Sequence, residues 1–590
     1  MLSHSKKALL FVTLFTLGVH FLYYPKWAKD GTEATISWDV SGYYLYLPAT
    51  FIYNDLKQLN FKDDMLKQYH PSPNFGQAFL HEKSGNYVMK YTLGQAVTYL
   101  PGFTIGHIWA SMSSKYENDG FSFPYQFCIS MGSLLWTILG FIFLRLILLK
   151  YFDELEVALT TVGLLLGSNY LNYIAIDGAM THNCLFTIYT LLIYLSIRYH
   201  ESPRLRTAVG IGSLVGLAGL IRPTELISCM IPVLWGTDVF SKQAIGNRVS
   251  FLLKEYRQLI TAVVVCILVG SLQLLYWKYV SGEWLIYSYE EQGFSWLDPH
   301  LYDGIFSYKS GWLVYSPFMI FSLIGFLFLL VKYRSLFLVA FAFACIFIYV
   351  AFAWDIWWYG GSLGQRTMVQ CYPILAFPLA ALFASLKNTK IILQVLVGGI
   401  MLLLCYVNLW FTHQAHEGGL FYTGQMTKPY YWNTLLTYKK NPKNLKLLDD
   451  VDALYTGNRT NVIVAAQDST YVAKLDKETQ FSEEFIVYPE QLSSDYEWIR
   501  VSADCKIDQK EWNIWKMTHF ITEFKDGKEL LYHQMFRIQR LMGDNEKVRL
   551  YMDIKKPSVP YKKIIVRFYN AGGEKPIEIS KVHLETYKED

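Results

Sequence analysis

Runs of roughly 17 to 25 apolar residues, the length that crosses a bilayer as a helix, recur at 8–24, 124–149, 155–175, 183–199, 207–221, 223–240, 258–281, 312–331, 335–353, 367–385 and 391–411. They predict about eleven transmembrane helices. A further run, 92–111, is interrupted by Pro101-Gly102, and since that pair interrupts helices it is expected to be a broken, re-entrant or in-plane segment, not a crossing. From about 412 the long runs stop. Short alternating segments at Glu484–Tyr488, Trp498–Ser502, Val548–Met552 and Lys563–Tyr569, with an Asp-Gly turn in Phe524–Lys528, predict a β-sandwich there. The expected fold class is therefore a polytopic α-helical membrane protein over 1–411, with a long loop 25–123 after its first helix, followed by a β-sandwich domain over 412–590.

Charge sets the orientation. Lys6 and Lys7; Arg198, Arg204 and Arg206; Lys242, Arg248, Lys254 and Arg257; Lys332 and Arg334; and Lys387 and Lys390 all fall on one side of the eleven predicted spans. Short loops rich in Lys and Arg stay in the cytoplasm, so that side is inside. The loops 25–123, 282–311 and 354–366, the turns at 177–182 and 222–223 and the sandwich are then expected outside. The run at 8–24 is followed by the bulky Tyr23–Trp27, not by a small-residue cleavage site, and is read as a retained helix.

Composition agrees and narrows the partners. With 590 residues, 52% hydrophobic and only 17% charged, the chain is not an ordinary soluble enzyme, and a net charge of +4 gives no reason to expect nucleic acid. Of eight cysteines only Cys505 lies in the C-terminal region, so no disulfide framework can form within it.

The candidate chemistry gathers on the predicted outer face. Asp39, in the aromatic stretch Ile36–Ala49, suits a base held at the membrane boundary, where partial burial raises a carboxyl pKa, and equally suits a helix cap. Arg222, in Gly219-Leu-Ile-Arg-Pro-Thr-Glu225, sits where positive charge is disfavoured; it reads as a phosphate clamp or as the partner of Glu225. Arg366 closes the loop Trp354–Arg366, whose Trp357, Trp358 and Tyr359 could stack on a sugar or lie at the membrane interface. Lys90 could neutralise phosphate or snorkel, and Asp177 and His182 could orient a substrate or form an ordinary polar turn. His70, His81 and Glu82 leave a divalent metal open, with no motif to support it. No phosphate-binding Gly-rich loop, His-Glu-x-x-His or Gly-x-Ser-x-Gly occurs. Trp498, Trp512 and Trp515 are expected in the sandwich core.

In this order of parts, Asp39, Lys90-Tyr-x-x-Gly94, Asp177, Gly219-x-x-Arg222-Pro and Tyr359-Gly-Gly-Ser-x-Gly-x-Arg366, residues 8–411 resemble the GT-C superfamily of polytopic glycosyltransferases, such as protein O-mannosyltransferases and aminoarabinose lipid A transferases. The resemblance implies a polyprenyl phosphate-linked sugar donor and a glycan, lipid or protein acceptor. It implies Asp39 as general base, Lys90, Arg222 and Arg366 on the donor phosphate, and inversion at the anomeric carbon. Asp177, His182, Trp358 and Tyr359 would contact substrate. It also implies a bacterial inner membrane with the sandwich in the periplasm. Many relatives carry an Asp-Glu pair where this chain has Asp39-Val40, which leaves the metal requirement open. A transporter or flippase, or a polymerase or ligase, of lipid-linked saccharides is the alternative; a transporter would carry polar residues deep within several spans.

Overall fold

The computed structural model describes every residue except Met1, Asn74, Val239, Glu290 and Glu291. The chain divides into two units, one running to His416 and the other covering Glu417–Asp590.

In the first unit six helices are long and apolar enough to cross a membrane: His4–Ala28, Phe123–Leu148, Tyr256–Ser281, Arg334–Phe352, Arg366–Leu386 and Ile391–Gly418. Leu205–Ile221, Pro223–Leu234 and Pro317–Lys332 are apolar but shorter. Leu259, Ile260, Val263, Ile267 and Leu268 on one long helix, and Ile392, Val395, Leu396 and Leu402 on another, point away from the protein. Apolar surface costs about 25 cal/mol per Å² in water, so rows of such residues belong in hydrocarbon. This is a multi-pass membrane protein.

Two of the runs read as spans from hydropathy are not single helices. Run 155–175 is not one helix, since Glu154–Gly167 ends at Ser168 and Tyr170–Ala175 begins anew. The break has a cause: the Asn169 side chain donates to the carbonyls of Leu363 and Gln365, both at 3.1 Å, and accepts from the Tyr372 hydroxyl at 2.6 Å. Run 223–240 forms a 3-10 turn at Pro223–Cys229 and a short helix at Met230–Leu234, closed by Gly236 at φ +73°. Together they reach roughly 20 Å, short of the ~30 Å hydrocarbon core. Segment 92–111, expected to be a broken, re-entrant or in-plane segment, is an unbroken helix, Gly94–Ser111, and is not among the helices long and apolar enough to cross a membrane. It packs so closely on Phe123–Leu148 that a Cβ at Gly102 would lie 2.8 Å from the Cys128 carbonyl.

Within the loop after the first helix, β1 (Ala78–His81) and β2 (Asn86–Met89) form an antiparallel hairpin. The second unit holds two four-stranded antiparallel sheets. One is ordered β3-β10-β5-β8 and the other β4-β9-β6-β7, where β3 is Arg459–Leu475, β4 Phe485–Val487, β5 Trp498–Ile507, β6 Thr518–Asp526, β7 Glu529–Arg537, β8 Glu546–Lys555, β9 Lys563–Asn570 and β10 Ile577–Glu589. Their inward residues, among them Val501, Phe520, Phe524, Val566, Phe568 and Leu584, form one core. The predicted Asp-Gly turn joins β6 to β7, with Gly527 at φ +61°. Trp498 is buried as expected, but Trp512 (72% exposed) and Trp515 (45%) are not. Both lie in the irregular β5–β6 connection, outside the strand alternation, and their rings face Lys510 and Arg537 in place of the core.

Candidate functional site

Asp39 stands in the first turn of the short helix Trp38–Tyr44. It does not cap that helix, because its two oxygens are engaged elsewhere. Oδ1 accepts from the Tyr91 hydroxyl at 2.8 Å, and Oδ2 accepts from the Arg366 guanidinium at 2.7 Å, an ion pair spanning most of the membrane unit's sequence. Burial alone would push the Asp39 carboxyl up, as the sequence reading expected. The Arg366 charge, the hydrogen bonds from Tyr91 and Arg366 and the Lys90 charge outweigh it, and the carboxyl is held below its ordinary range.

The backbone around it is constrained. Trp38 adopts φ +48°, a conformation that costs a bulky residue of order 1 kcal/mol or more; its N–H donates to the Pro71 carbonyl and its indole to that of Thr32, both at 3.0 Å. Gly42 makes room for Tyr91, since a Cβ there would lie 2.8 Å from the Tyr91 ring. Gly42→Ala is therefore expected to push Tyr91 off Asp39 and to lower turnover about as far as loss of that hydrogen bond would, roughly tenfold, with stability falling by about 1–3 kcal/mol from overpacking. Steady-state kinetics and thermal unfolding of the variant check both.

Lys90 and Tyr91 leave the end of β2 on a track fixed by other elements. The Met89 N–H donates to the Tyr276 hydroxyl at 3.0 Å, the Leu93 N–H to Gln273 Oε1 at 2.8 Å, and the Tyr46 hydroxyl to the Tyr91 carbonyl at 2.6 Å. The Lys90 ammonium lies 5.6 Å from the centre of the Tyr289 ring, and among the described residues its side chain has no hydrogen bond or ion pair.

Arg222 ends the helix Leu205–Ile221 and precedes the Pro223 turn. The turn is closed by backbone, with Glu225 N–H donating to the Arg222 carbonyl at 2.9 Å, and not by an Arg222–Glu225 ion pair. Glu225 is taken up by the Tyr189 hydroxyl and by Gln370 Nε2 at 3.0 Å. The Arg222 guanidinium lies 5.5 Å from the centre of the Tyr359 ring and, among the described residues, makes no hydrogen bond or ion pair. Gly94 joins this turn to the Lys90 stretch: a Cβ there would meet the Ile221 nitrogen at 2.4 Å, and Thr92 donates to the Ile221 carbonyl at 2.8 Å.

These groups converge. The charges of Arg222 and Arg366 both act on Tyr43, His182, Tyr289 and Tyr359, and Asp39 also acts on Tyr43 and Tyr289. The rings of Tyr43 and Tyr91 lie 4.3 Å apart and those of Tyr91 and Tyr289 6.1 Å apart. Tyr43, Tyr91, Tyr289 and Tyr359 thus lie among Lys90, Arg222, Arg366 and Asp39, and the Glu225 charge also acts on Arg222. Cations outnumber carboxylates there. Buried His182 faces Gln370 (Nδ1 to Oε1, 2.8 Å) and packs edge-on to Tyr173. Because Gln370 donates its amide to Glu225, its oxygen accepts from His182 Nδ1–H, which leaves Nε2 as the ring's acceptor.

The structure turns two expected site residues to other partners. Asp177 ion-pairs with Lys26 at 2.6 Å and accepts from Asn172 at 3.0 Å. Trp358 lies under the Lys309 ammonium at 4.0 Å and edge-on to Trp357. His70 and His81 do not gather a metal set: His70 ends a helix at φ +44°, His81 contacts Ser84, and among the described residues no group of three or more His, Cys, Asp or Glu could hold an ion. With Asp39 already engaged by Tyr91 and Arg366, these residues do not fit a divalent metal.

The sequence reading missed Tyr43, Tyr91, Tyr289 and Gln370. Two of them carried a signal, Tyr43 within the aromatic stretch around Asp39 and Tyr91 beside Lys90 within the spacing that ends at Gly94.

No family model matches the sequence, and no curated protein is similar to it by sequence. Several solved structures are similar to the chain. One of them is the archaeal oligosaccharyltransferase AglB from Archaeoglobus fulgidus, in complex with an inhibitory peptide and a dolichol-phosphate, with 11% identity and a TM-score of 0.37 over 73% of this chain and 57% of that one. The present chain thus spans little more than half of that enzyme's length. A likeness of this degree decides nothing about the chemistry, which has to come from the residues themselves.

Proposed function

We propose that the protein is a membrane glycosyltransferase of GT-C type that moves a sugar from a polyprenyl phosphate donor to an acceptor hydroxyl outside the cytoplasm, in a bacterial inner membrane with the sandwich in the periplasm. The observation that carries this reading is the meeting of opposite charges in one tyrosine-lined site, where a partly buried carboxylate, Asp39, shares its surroundings with a guanidinium, Arg222, that makes no hydrogen bond or ion pair among the described residues. A half-buried guanidinium without an ion pair is served best by an anion, and phosphate matches its fork of donors.

In this scheme Asp39 takes the proton of the acceptor hydroxyl as its oxygen attacks the anomeric carbon. The bond from that carbon to the phosphate oxygen breaks, and polyprenyl phosphate leaves with the electron pair. Negative charge grows on the leaving phosphate, where Arg222 and Lys90 stabilise it most. Attack opposite the leaving group inverts the anomeric centre. Tyr359, beneath Arg222, and His182, through the lone pair on Nε2, are placed to touch the sugar. Asp177, paired with Lys26, and Trp358, under Lys309, have no part in the transfer step of this scheme.

The test is reconstitution in liposomes with a panel of polyprenyl phosphate sugars, following release of polyprenyl phosphate. Sugar-dependent release is expected with at least one donor. A chain that neither binds polyprenyl phosphate nor turns over any such donor overturns the reading.

A further inference from the structure

Arg366 has two claims on it. One nitrogen is 2.7 Å from Asp39 Oδ2, yet its Nε is buried without a partner, and a guanidinium has five N–H donors to distribute. Its charge acts on Tyr43, His182, Tyr289 and Tyr359, as the charge of Arg222 does. An anion brought in by Arg222 therefore arrives beside the group that holds the base. Asp39 also has little capacity to accept a proton while a full positive charge sits on Oδ2 and Tyr91 on Oδ1.

We propose that Arg366 is a shared partner, paired with Asp39 before the donor binds and drawn onto the donor phosphate afterwards, so that Oδ2 is free to take the acceptor's proton only when a donor is in place. This rests on the reading of the site as a lipid-phosphate sugar transferase. It assigns Arg366 a switching role in place of a purely phosphate-holding one. Donor would then bind before the acceptor is activated. The departing polyprenyl monophosphate, which carries more negative charge than the donor diester, would hold Arg366 more firmly than the donor does. Lys90 and Arg222 have no such divided role, since neither pairs with a carboxylate among the described residues.

The test is a double-mutant cycle read by binding of a sugar-free polyprenyl monophosphate to the full-length protein in nanodiscs. Asp39→Asn removes the competitor for Arg366 and is expected to tighten binding about tenfold, whereas in an Arg366→Gln background the same change should alter it less than about twofold. Equal tightening in both backgrounds would mean that only a nearby negative charge was removed; the shared-partner idea then fails while the transferase reading stands. Failure of the unmodified protein to bind the lipid phosphate at all sinks the transferase reading instead. A measurement on the unmodified chain covers the case in which Arg366→Gln does not fold. Reaction of Asp39 with a water-soluble carbodiimide, read by peptide mass, should speed up when the lipid phosphate is bound, and unchanged or slower reaction in the bound state overturns the proposal.

Discussion

Asp39→Asn is expected to leave the protein folded and membrane-inserted while slowing sugar transfer about 10³-fold, within the range a general base contributes. The asparagine keeps the shape of the side chain and can still accept from Tyr91 or Arg366, so the loss falls on proton removal. Breaking the ion pair leaves Arg366 with a weaker partner, but the pair is partly open to solvent, with Asp39 23% and Arg366 16% exposed, so the stability loss should be about 1–2 kcal/mol. The pH dependence carries a further check. A carboxyl held below its ordinary range stays ionised through neutral and mildly acidic pH. Its stabilising contribution is present above its unfolded pKa of about 3.9 and is lost as the pH falls through the lower folded value. Turnover and thermal unfolding across pH 3 to 8 measure both effects, and full turnover by the asparagine variant would remove Asp39 from the mechanism.

Arg222→Gln should act on the other half of the reaction, lowering kcat/KM for the donor by about 10²–10³, the scale seen when one preorganised donor is removed from developing charge. Stability should hardly move, because the guanidinium has no hydrogen bond or ion pair among the described residues to lose. Arg222→Lys should recover only part of the rate, since an ammonium lacks the planar fork that spans two phosphate oxygens. Donor-dependent kinetics beside thermal unfolding separate the possibilities. A variant that is destabilised yet uses donor normally would make Arg222 a structural pin between its helix and Tyr359.

Much of this was legible in the sequence because hydropathy and motif order are local properties. The long apolar helices, the four predicted strands and the Asp-Gly turn follow from periodicity alone. Asp39, Lys90, Arg222 and Arg366 stood out as charges where charge is disfavoured. What could not be read is pairing. Nothing in the spacing says that Arg366 belongs to Asp39, that Asp177 belongs to Lys26, or that Glu225 turns from Arg222 to Tyr189 and Gln370. Tyr289 was invisible because it enters the site from a loop with no motif of its own. The misread run 155–175 fails for a related reason: Asn169 ends a helix to satisfy carbonyls nearly two hundred residues away.

The missing side chain at position 94 has one more consequence. Because bare backbone meets bare backbone where the Lys90 stretch abuts the end of the Arg222 helix, the spacing between those two cations is set by main chain that cannot yield. The tyrosines around them are side chains and can be exchanged. Under the proposed transferase reading a chain built this way separates two tasks, gauging the lipid's phosphate with fixed rulers and fitting the sugar with replaceable walls, so redesign for a different sugar should begin at Tyr43 and Tyr289 and leave position 94 alone.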